Sequence, residues 1–241
     1  MKFLLIAIFV VLSVNCFAQQ EQQWIQGLES PRFETNQLRP ENELDGFHYD
    51  FSTLLVPRRE FLGFIGDDYK RLYMFFSSIT RSSENKDLYN VKGVSVVGNN
   101  RCKFEGTIKL RQIRQFKTFH YGVDDEHKDD GIKAEGLLIA DYEFMEDSND
   151  SHSGIFSGVM TNYWYLDRHD VLKYDNIEWF SDRYRNNQFI GKWTQYKSKI
   201  SKICNWGERR IPFSGDLDIG AGEFSPNPKY NNSGWADYKF R

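Results

Sequence analysis

A strand pattern with glycine at a recurring position is the feature of this sequence that most restricts its fold. In residues 102–110, CKFEGTIKL, apolar residues or glycine alternate with polar residues without a break. Alternation with period two is typical of a β-strand with one buried face. A Phe-x-Gly-x-apolar pattern recurs at Phe104-Gly106-Ile108, Phe156-Gly158-Met160 and Phe189-Gly191-Trp193, with a weaker form at Ala134-Gly136-Leu138.

The repeated glycines indicate a curved sheet. A glycine inside a strand normally weakens it, because it brings no side chain to pack. On the apolar face it marks a place where the sheet bends sharply or where an aromatic ring lies over bare backbone. We therefore predict an all-β fold with little helix, in which an antiparallel meander closes into a barrel or a strongly bent sandwich.

The first eighteen residues have the organisation of a secretory signal peptide. Lys2 supplies a positive charge, residues 3–14 form an apolar run, and Ala18 ends a short cleavage region. A transmembrane helix needs about 20 apolar residues, and the run at residues 3–14 is too short for one. The mature chain is predicted to have no transmembrane segment. Cleavage after Ala18 predicts a secreted or periplasmic protein. Lipidation of Cys16 is the alternative and would anchor the protein to a membrane.

Two further segments follow the predicted signal peptide. Residues 19–45 are polar and lack a regular apolar period, which predicts a flexible leader. Residues 46–241 contain the alternating strands and are predicted to form a single β-rich domain. Removal of Lys2 leaves 30 basic against 34 acidic residues, a formal charge of −4. Because lysine and arginine are not clustered, nucleic acid is not an expected partner.

Two cysteines, Cys102 and Cys204, remain after the predicted cleavage. In an oxidising compartment such a pair often forms a disulfide, and this bridge is one expectation. The other is a pair of buried thiols that act as small apolar side chains. The sequence leaves both open, because it does not give the distance between the two residues.

The acidic segment IPFSGDLDIGAGEF, residues 211–224, is a candidate functional site. Asp216 and Asp218 are two residues apart, which in a strand would place both carboxylates on one face. Leu217 and Ile219 would then face the core. The segment is therefore predicted to be a strand with a polar edge.

Three roles are open to these carboxylates. The first is structural, with the acids paired to Arg209 and Arg210 or capping turns. The second is a ligand or calcium site that includes Glu223, since the alternating oxygen ligands partly match a calcium loop. The third is catalysis by Asp216, Asp218 or Glu223, although carboxylates that cleave a glycosidic bond flank it from opposite sides. No cofactor or metal is expected, and calcium at Asp216, Asp218 and Glu223 is the alternative.

Aromatic residues make up 16% of the chain, so some of them are candidates for ligand binding. Aromatic rings line ligand pockets, but they also fill barrel cores. Phe104, Phe156 and Phe189 fall on the predicted inner face and are assigned to the core. Trp206 and Trp235 lie among glycine and proline residues and are the candidates for exposed ligand-binding rings.

The strands over residues 91–196, with their Phe-x-Gly-x-apolar pattern, resemble calycin-type barrels of the lipocalin sort. This resemblance implies a barrel that encloses a small apolar ligand or inhibits another protein. Lipocalins carry Gly-x-Trp on their first strand, whereas Gly191-Lys192-Trp193 comes late in this chain. Residues 205–224 also resemble uncharacterised secreted bacterial proteins, a similarity that implies a family but no activity.

These patterns predict a secreted, non-catalytic protein that binds a small ligand, a glycan or another protein. The histidines show no His-x-x-x-His spacing, and neither a Gly-x-Ser-x-Gly motif nor a P-loop occurs. One alternative is a secreted hydrolase that uses carboxylates of residues 216–223. Another is a structural component of the cell envelope.

We expect the mature N-terminus at Gln19, because the charged, apolar and cleavage regions come in the order that signal peptidase requires. The intact mass of protein recovered from its native secretion route measures this directly. A diacylglyceryl mass on Cys16 would contradict the expectation and place the protein on a membrane surface.

Overall fold

The computed structural model describes residues 19–28, 38–58, 60–177, 179, 181 and 184–239. The predicted signal peptide lies outside these residues. Within them, two α-helices, α1 (residues 19–28) and α2 (Ser52–Leu55), and a 3-10 turn at Leu44–Gly46 precede the sheet. The strands are β1 (Leu62–Ile65), β2 (Lys70–Arg81), β3 (Leu88–Val97), β4 (Asn100–Gln115), β5 (Ala134–Glu146), β6 (Gly154–Leu166), β7 (Leu172–Tyr174), β8 (Asn186–Gln195) and β9 (Ser201–Glu208).

The strands form one closed antiparallel sheet. Around the barrel the order is β5, β4, β3, β2, β1, β9, β8 and β6, and β6 pairs back with β5. The short strand β7 pairs with the end of β6 that extends past β8. The all-β prediction is confirmed, and of the two predicted shapes the barrel is the one observed.

The inward glycines make room for aromatic rings from neighbouring strands. A Cβ atom on Gly136 would lie 2.7 Å from the Trp164 ring, and one on Gly191 would lie 2.6 Å from the Tyr142 hydroxyl. Both distances are shorter than van der Waals contact, so a side chain at either position would displace the ring. At Gly106 and Gly158 the nearest atoms belong to the backbone of the neighbouring strand, so the glycine pattern marks close approach of strands as well as rings over bare backbone.

Aromatic side chains from several walls meet in the middle of the barrel. The Phe76 ring on β2 contacts Phe104 on β4, Phe144 on β5 and Phe189 on β8, with ring centroids 5.5 to 6.0 Å apart. Phe189 also stacks on Trp206 of β9 at 4.8 Å. These offset and edge-on contacts are the geometry that stabilises aromatic pairs. Rings thus occupy the space between the walls.

The helix α2 is held at one end of the barrel by a buried polar network. The Leu54 carbonyl accepts hydrogen bonds from the side-chain amides of Asn162 and Asn187, at 3.5 and 3.1 Å. The Asn187 amide also donates to the Glu208 carboxylate at 2.8 Å, and the Arg58 backbone N–H donates to the same oxygen at 3.3 Å. Because buried polar groups need such partners, the network fixes α2 against the strand ends.

The leader differs from its prediction. Residues 19–28, expected to be flexible, form α1, and Trp24 is buried against Val159 of β6 and Ile190 of β8. Its indole N–H lies 3.4 Å from the Thr161 hydroxyl, which accepts the hydrogen bond. Outward apolar side chains on the barrel wall form the surface on which α1 packs. The sequence pattern does not reveal this surface, because closure of the sheet brings its residues together.

The expected disulfide is not formed, and both cysteines are buried and free. Cys102 lies on β4 and Cys204 on β9, four strands apart in a ring of eight. The two residues therefore belong to opposite walls of the barrel. A disulfide needs Cα atoms within about 7 Å, and packed rings hold the walls farther apart than that.

Reductant is expected to leave the melting temperature of the mature protein unchanged, because no bridge closes the chain between Cys102 and Cys204. Circular dichroism melts with and without dithiothreitol measure this. Thiol titration in denaturant should find both thiols, while native labelling at pH 8 should be slow, since burial raises the pKa of the Cys102 thiol to about 11. A lower midpoint on reduction, with fewer than two thiols before it, would contradict the result.

Candidate binding face

The carboxylate of Asp218 is held by an ion pair and by backbone hydrogen bonds of its own loop. The segment around it is a loop, in which Asp218 forms an isolated bridge with Pro226. Its carboxylate lies 2.6 Å from the Arg210 guanidinium and accepts the backbone N–H groups of Gly220 and Ser225 at 3.0 Å each. The predicted pairing with Arg210 is confirmed. These bonds fold the glycine-rich loop back onto Asp218.

Asp216 points to a different partner, so the prediction of a shared strand face is wrong. Its carboxylate pairs with Lys229 and accepts the Tyr230 hydroxyl at 2.7 Å. Hydrogen bonds from these two side chains lower the pKa of Asp216. Leu217 is fully buried as predicted, but Ile219 is 58% exposed, because the backbone turns instead of continuing as a strand.

The other charged candidates near this segment lie apart from the two aspartates. Glu223 is exposed at the tip of the loop. Arg209 lies over the Trp179 ring, with its guanidinium carbon 4.2 Å from the ring centroid. Three carboxylates therefore do not converge on one point in this segment. Among the described residues, moreover, there is no group of three or more histidine, cysteine or acidic side chains able to hold a metal ion.

Both tryptophans expected to be exposed are buried. Trp206 takes an inward position on β9 and is fully buried in the aromatic centre. Trp235 is 2% exposed, packs on Phe224, and donates its indole N–H to the Tyr69 carbonyl at 2.7 Å. The prediction of exposure was wrong because Trp206 points into the barrel, and because the chain after β9 folds back over the barrel wall and covers Trp235.

A buried carboxylate that no sequence pattern indicated lies at the end of β5. Glu146 accepts hydrogen bonds from the Ser95 hydroxyl, from the Trp193 indole at 2.9 Å and from the Gly154 backbone N–H at 2.8 Å. Burial raises its pKa, while these three bonds oppose that rise. With its oxygens already bonded, Glu146 joins β3, β6 and β8 and has the environment of a structural residue.

The outer wall of the barrel is covered unevenly. On β5, β6 and β8 its apolar residues pack against α1 and the chain near it. On β1 and β9 they pack against the chain after β9, in a cluster that includes Phe64, Ile211 and Phe224. Neither cover includes the outward apolar residues of β2 and β3.

This open part of the wall carries two rows of paired side chains across β2, β3 and β4. In the first row Tyr73 pairs with Val96, which pairs with Arg101. In the second row Phe75 pairs with Val94, which pairs with Lys103. Directly paired residues point to the same side of a sheet. We name these six residues the β2–β4 face.

The chemistry of the β2–β4 face is aromatic on one side and cationic on the other. Phe75 is 45% exposed, and its ring lies within 6° of parallel to that of Tyr73, with centroids 6.2 Å apart. Arg101 and Lys103 are exposed and form no ion pair with another described residue. An exposed apolar patch edged by uncompensated charge is a common feature of binding surfaces.

Comparison with known proteins does not identify a relative of this chain. No protein-family model, curated protein or solved structure matches the chain. Within the described part of the chain, no helix has the length and apolar character needed to cross a bilayer. The case for a function therefore rests on the barrel and its surface.

Replacing Asp218 with Asn is expected to lower the free energy of unfolding by about 1 to 3 kcal/mol, because it removes a half-buried charge-assisted contact with Arg210. Asp216→Asn, the matched control at an exposed position, should lower the melting temperature less. Thermal melts of the two variants provide the comparison.

Calcium tests the alternative role of the same residues. We expect it to leave the wild-type melting temperature unchanged, since Arg210 and Lys229 already neutralise the two aspartates. Calorimetric calcium binding that Asp218→Asn abolishes would contradict the structural role.

Proposed function

We propose that this protein is a secreted, non-catalytic binding protein and that the β2–β4 face binds an acidic glycan. One observation about the outer wall of the barrel carries the proposal. On the outer wall this face leaves the exposed Phe75 ring, parallel to the half-buried Tyr73 ring, beside two cations that have no ion-pair partner among the described residues. The partner classes expected from the sequence were a small ligand, a glycan or another protein, and the properties of the face favour the second.

The chemistry of the face matches that of a charged sugar chain. The C–H faces of sugar rings stack on aromatic rings, and the exposed Phe75 supplies one, while the parallel Tyr73 ring beside it is half-buried under the Arg71 guanidinium, 4.4 Å from its centroid. Carboxylate or sulfate groups on the same chain would pair with Arg101 and Lys103, since guanidinium and ammonium groups bind such anions. Stacking and charge pairing can act together because both rows span the same three strands.

The size of the face also favours a glycan over a protein. Three strands about 4.8 Å apart, with outward residues about 6.8 Å apart, give a backbone footprint on the order of 10 Å by 7 Å. A stable protein interface buries about 800 Å² on each partner, which is many times the area of this footprint. One to three sugar units fit a footprint of this size.

Two other functions have weaker support. An enclosed apolar ligand of the lipocalin sort would have to displace the rings that meet around Phe76 and Phe189. A hydrolase using residues 216–223 would need carboxylates on opposite sides of a substrate, whereas Asp216 and Asp218 are each bonded to a cation.

The direct test is binding of polygalacturonate, measured by isothermal titration calorimetry. Phe75→Ala is expected to weaken binding about tenfold, because an exposed aromatic contact contributes on the order of 1 to 2 kcal/mol. The double variant Arg101→Ala, Lys103→Ala should weaken binding further and reduce its dependence on salt.

Matched controls are available at the exposed turn between β8 and β9. Ile200→Ala and Lys197→Ala remove an apolar and a cationic side chain there and should leave binding unchanged. Neutral dextran should bind weakly or not at all. Absence of polygalacturonate binding by the wild type, or equal affinity in Phe75→Ala and Ile200→Ala, would refute the proposal and favour a structural role.

A further inference from the structure

Two segments of the sequence have the Asn-x-Ser pattern of asparagine-linked glycosylation. They are Asn149-Asp150-Ser151 and Asn231-Asn232-Ser233, and neither has proline at the middle position. In a secreted protein such a pattern accepts a sugar chain on the asparagine side chain. Transfer to a folded chain requires that the transferase reach both the asparagine amide and the serine hydroxyl. The structure therefore distinguishes the two segments by the contacts that these groups make.

The first segment lies at the tip of the hairpin that joins β5 and β6, where every residue from 147 to 152 is exposed. The Ser151 hydroxyl forms no hydrogen bond with another residue of the described chain. The Asn149 side-chain amide donates to the exposed Asp147 carboxylate at 2.9 Å, within the same turn. A transferase can therefore bind both Asn149 and Ser151 without breaking a contact with the barrel.

The base of this hairpin is fixed, so the tip projects from a rigid support. The buried Glu146 carboxylate accepts the Gly154 backbone N–H at 2.8 Å and joins the two strands below the tip. The Ser153 hydroxyl donates to the Asp150 carbonyl at 2.9 Å and closes the turn. A sugar chain on the exposed tip would extend into solvent and leave these contacts in place.

The second segment is held in the chain that follows β9. Asn231 is exposed but belongs to the 3-10 helix Pro228–Ser233, and its carbonyl accepts the Gly234 backbone N–H at 3.2 Å. The Ser233 hydroxyl donates to the Asp68 carbonyl, in the turn between β1 and β2, at 2.7 Å. A transferase would have to release this hydroxyl from Asp68 before it could bind the segment.

We propose that Asn149 is a site of asparagine-linked glycosylation and that the fold selects it over Asn231. The donor is a sugar chain carried on a lipid diphosphate. A bond forms between the Asn149 amide nitrogen and the anomeric carbon, while the bond from that carbon to the diphosphate oxygen breaks. The lipid diphosphate leaves, and one amide proton passes to a base of the transferase.

The site depends on one part of the proposed function, which is secretion, because the chain must enter the secretory route to meet a lipid-linked donor. It does not depend on glycan binding by the β2–β4 face. The two proposals can therefore fail separately.

Peptide mapping by mass spectrometry, on protein recovered from its native secretion route, tests the site. In the wild type the peptide that contains Asn149 should carry the mass of a sugar chain, and the peptide that contains Asn231 should not. Asn149→Gln and Ser151→Ala should each abolish the added mass. Ser151→Thr, which keeps the hydroxyl, should retain it. Asn231→Gln is the matched control and should keep the wild-type modification.

The same peptide map reads the N-terminus, which separates the two ways in which the site can fail. A wild-type chain cleaved after Ala18 with an unmodified Asn149 would overturn the site and leave secretion standing. An uncleaved chain with an unmodified Asn149 would overturn both. A sugar chain on Asn231, or added mass that persists in Asn149→Gln, would overturn the selection of Asn149. The wild-type map decides the matter even if a variant does not fold.

Discussion

Pairing of β5 with both β4 and β6 is the constraint on which the rest of the structure depends. It removes the last free edge of the sheet, so every strand of the ring must curve and approach its neighbours closely on the inside. Gly158 and Gly191 face each other across β6 and β8 and leave the room that the Tyr142 side chain occupies. Bare backbone on the inner face lets a barrel lined with large rings close.

This solution to packing determines where binding can take place. Rings on β2, β4, β5, β8 and β9 contact one another in the middle of the barrel, and each contact adds to stability while it takes up interior space. The outer wall then becomes the available surface. Because α1 and the chain after β9 cover two other parts of that wall, Phe75, Arg101 and Lys103 of the β2–β4 face are left exposed.

The buried acids illustrate two ways of keeping a carboxyl group away from water. Glu146 and Glu208 each accept several hydrogen bonds from neutral donors, and these bonds offset part of the cost of burying a charge. Asp175 instead accepts only the Ile177 backbone N–H among the hydrogen bonds described for its carboxylate, and burial raises its pKa to about 7.

The sequence by itself determined the class of the fold. Strict alternation in residues 102–110 and glycine at inward positions predicted a curved antiparallel sheet, because period two and the space that a ring needs are local properties of a strand. Leu217 was also assigned correctly to a buried position, since a large aliphatic side chain gains free energy wherever the chain folds over it.

Everything that depends on which distant residues meet was decided by the tertiary structure. Cys102 and Cys204 lie on opposite walls, Asp216 and Asp218 turn to different cations, and Trp206 and Trp235 are covered. Each outcome depends on the path of the chain around the barrel, which no local pattern specifies. The β2–β4 face and the contact of Glu135 with His120 were missed for the same reason: strand pairing and chain coverage bring their residues together, and separation in the sequence does not reveal it.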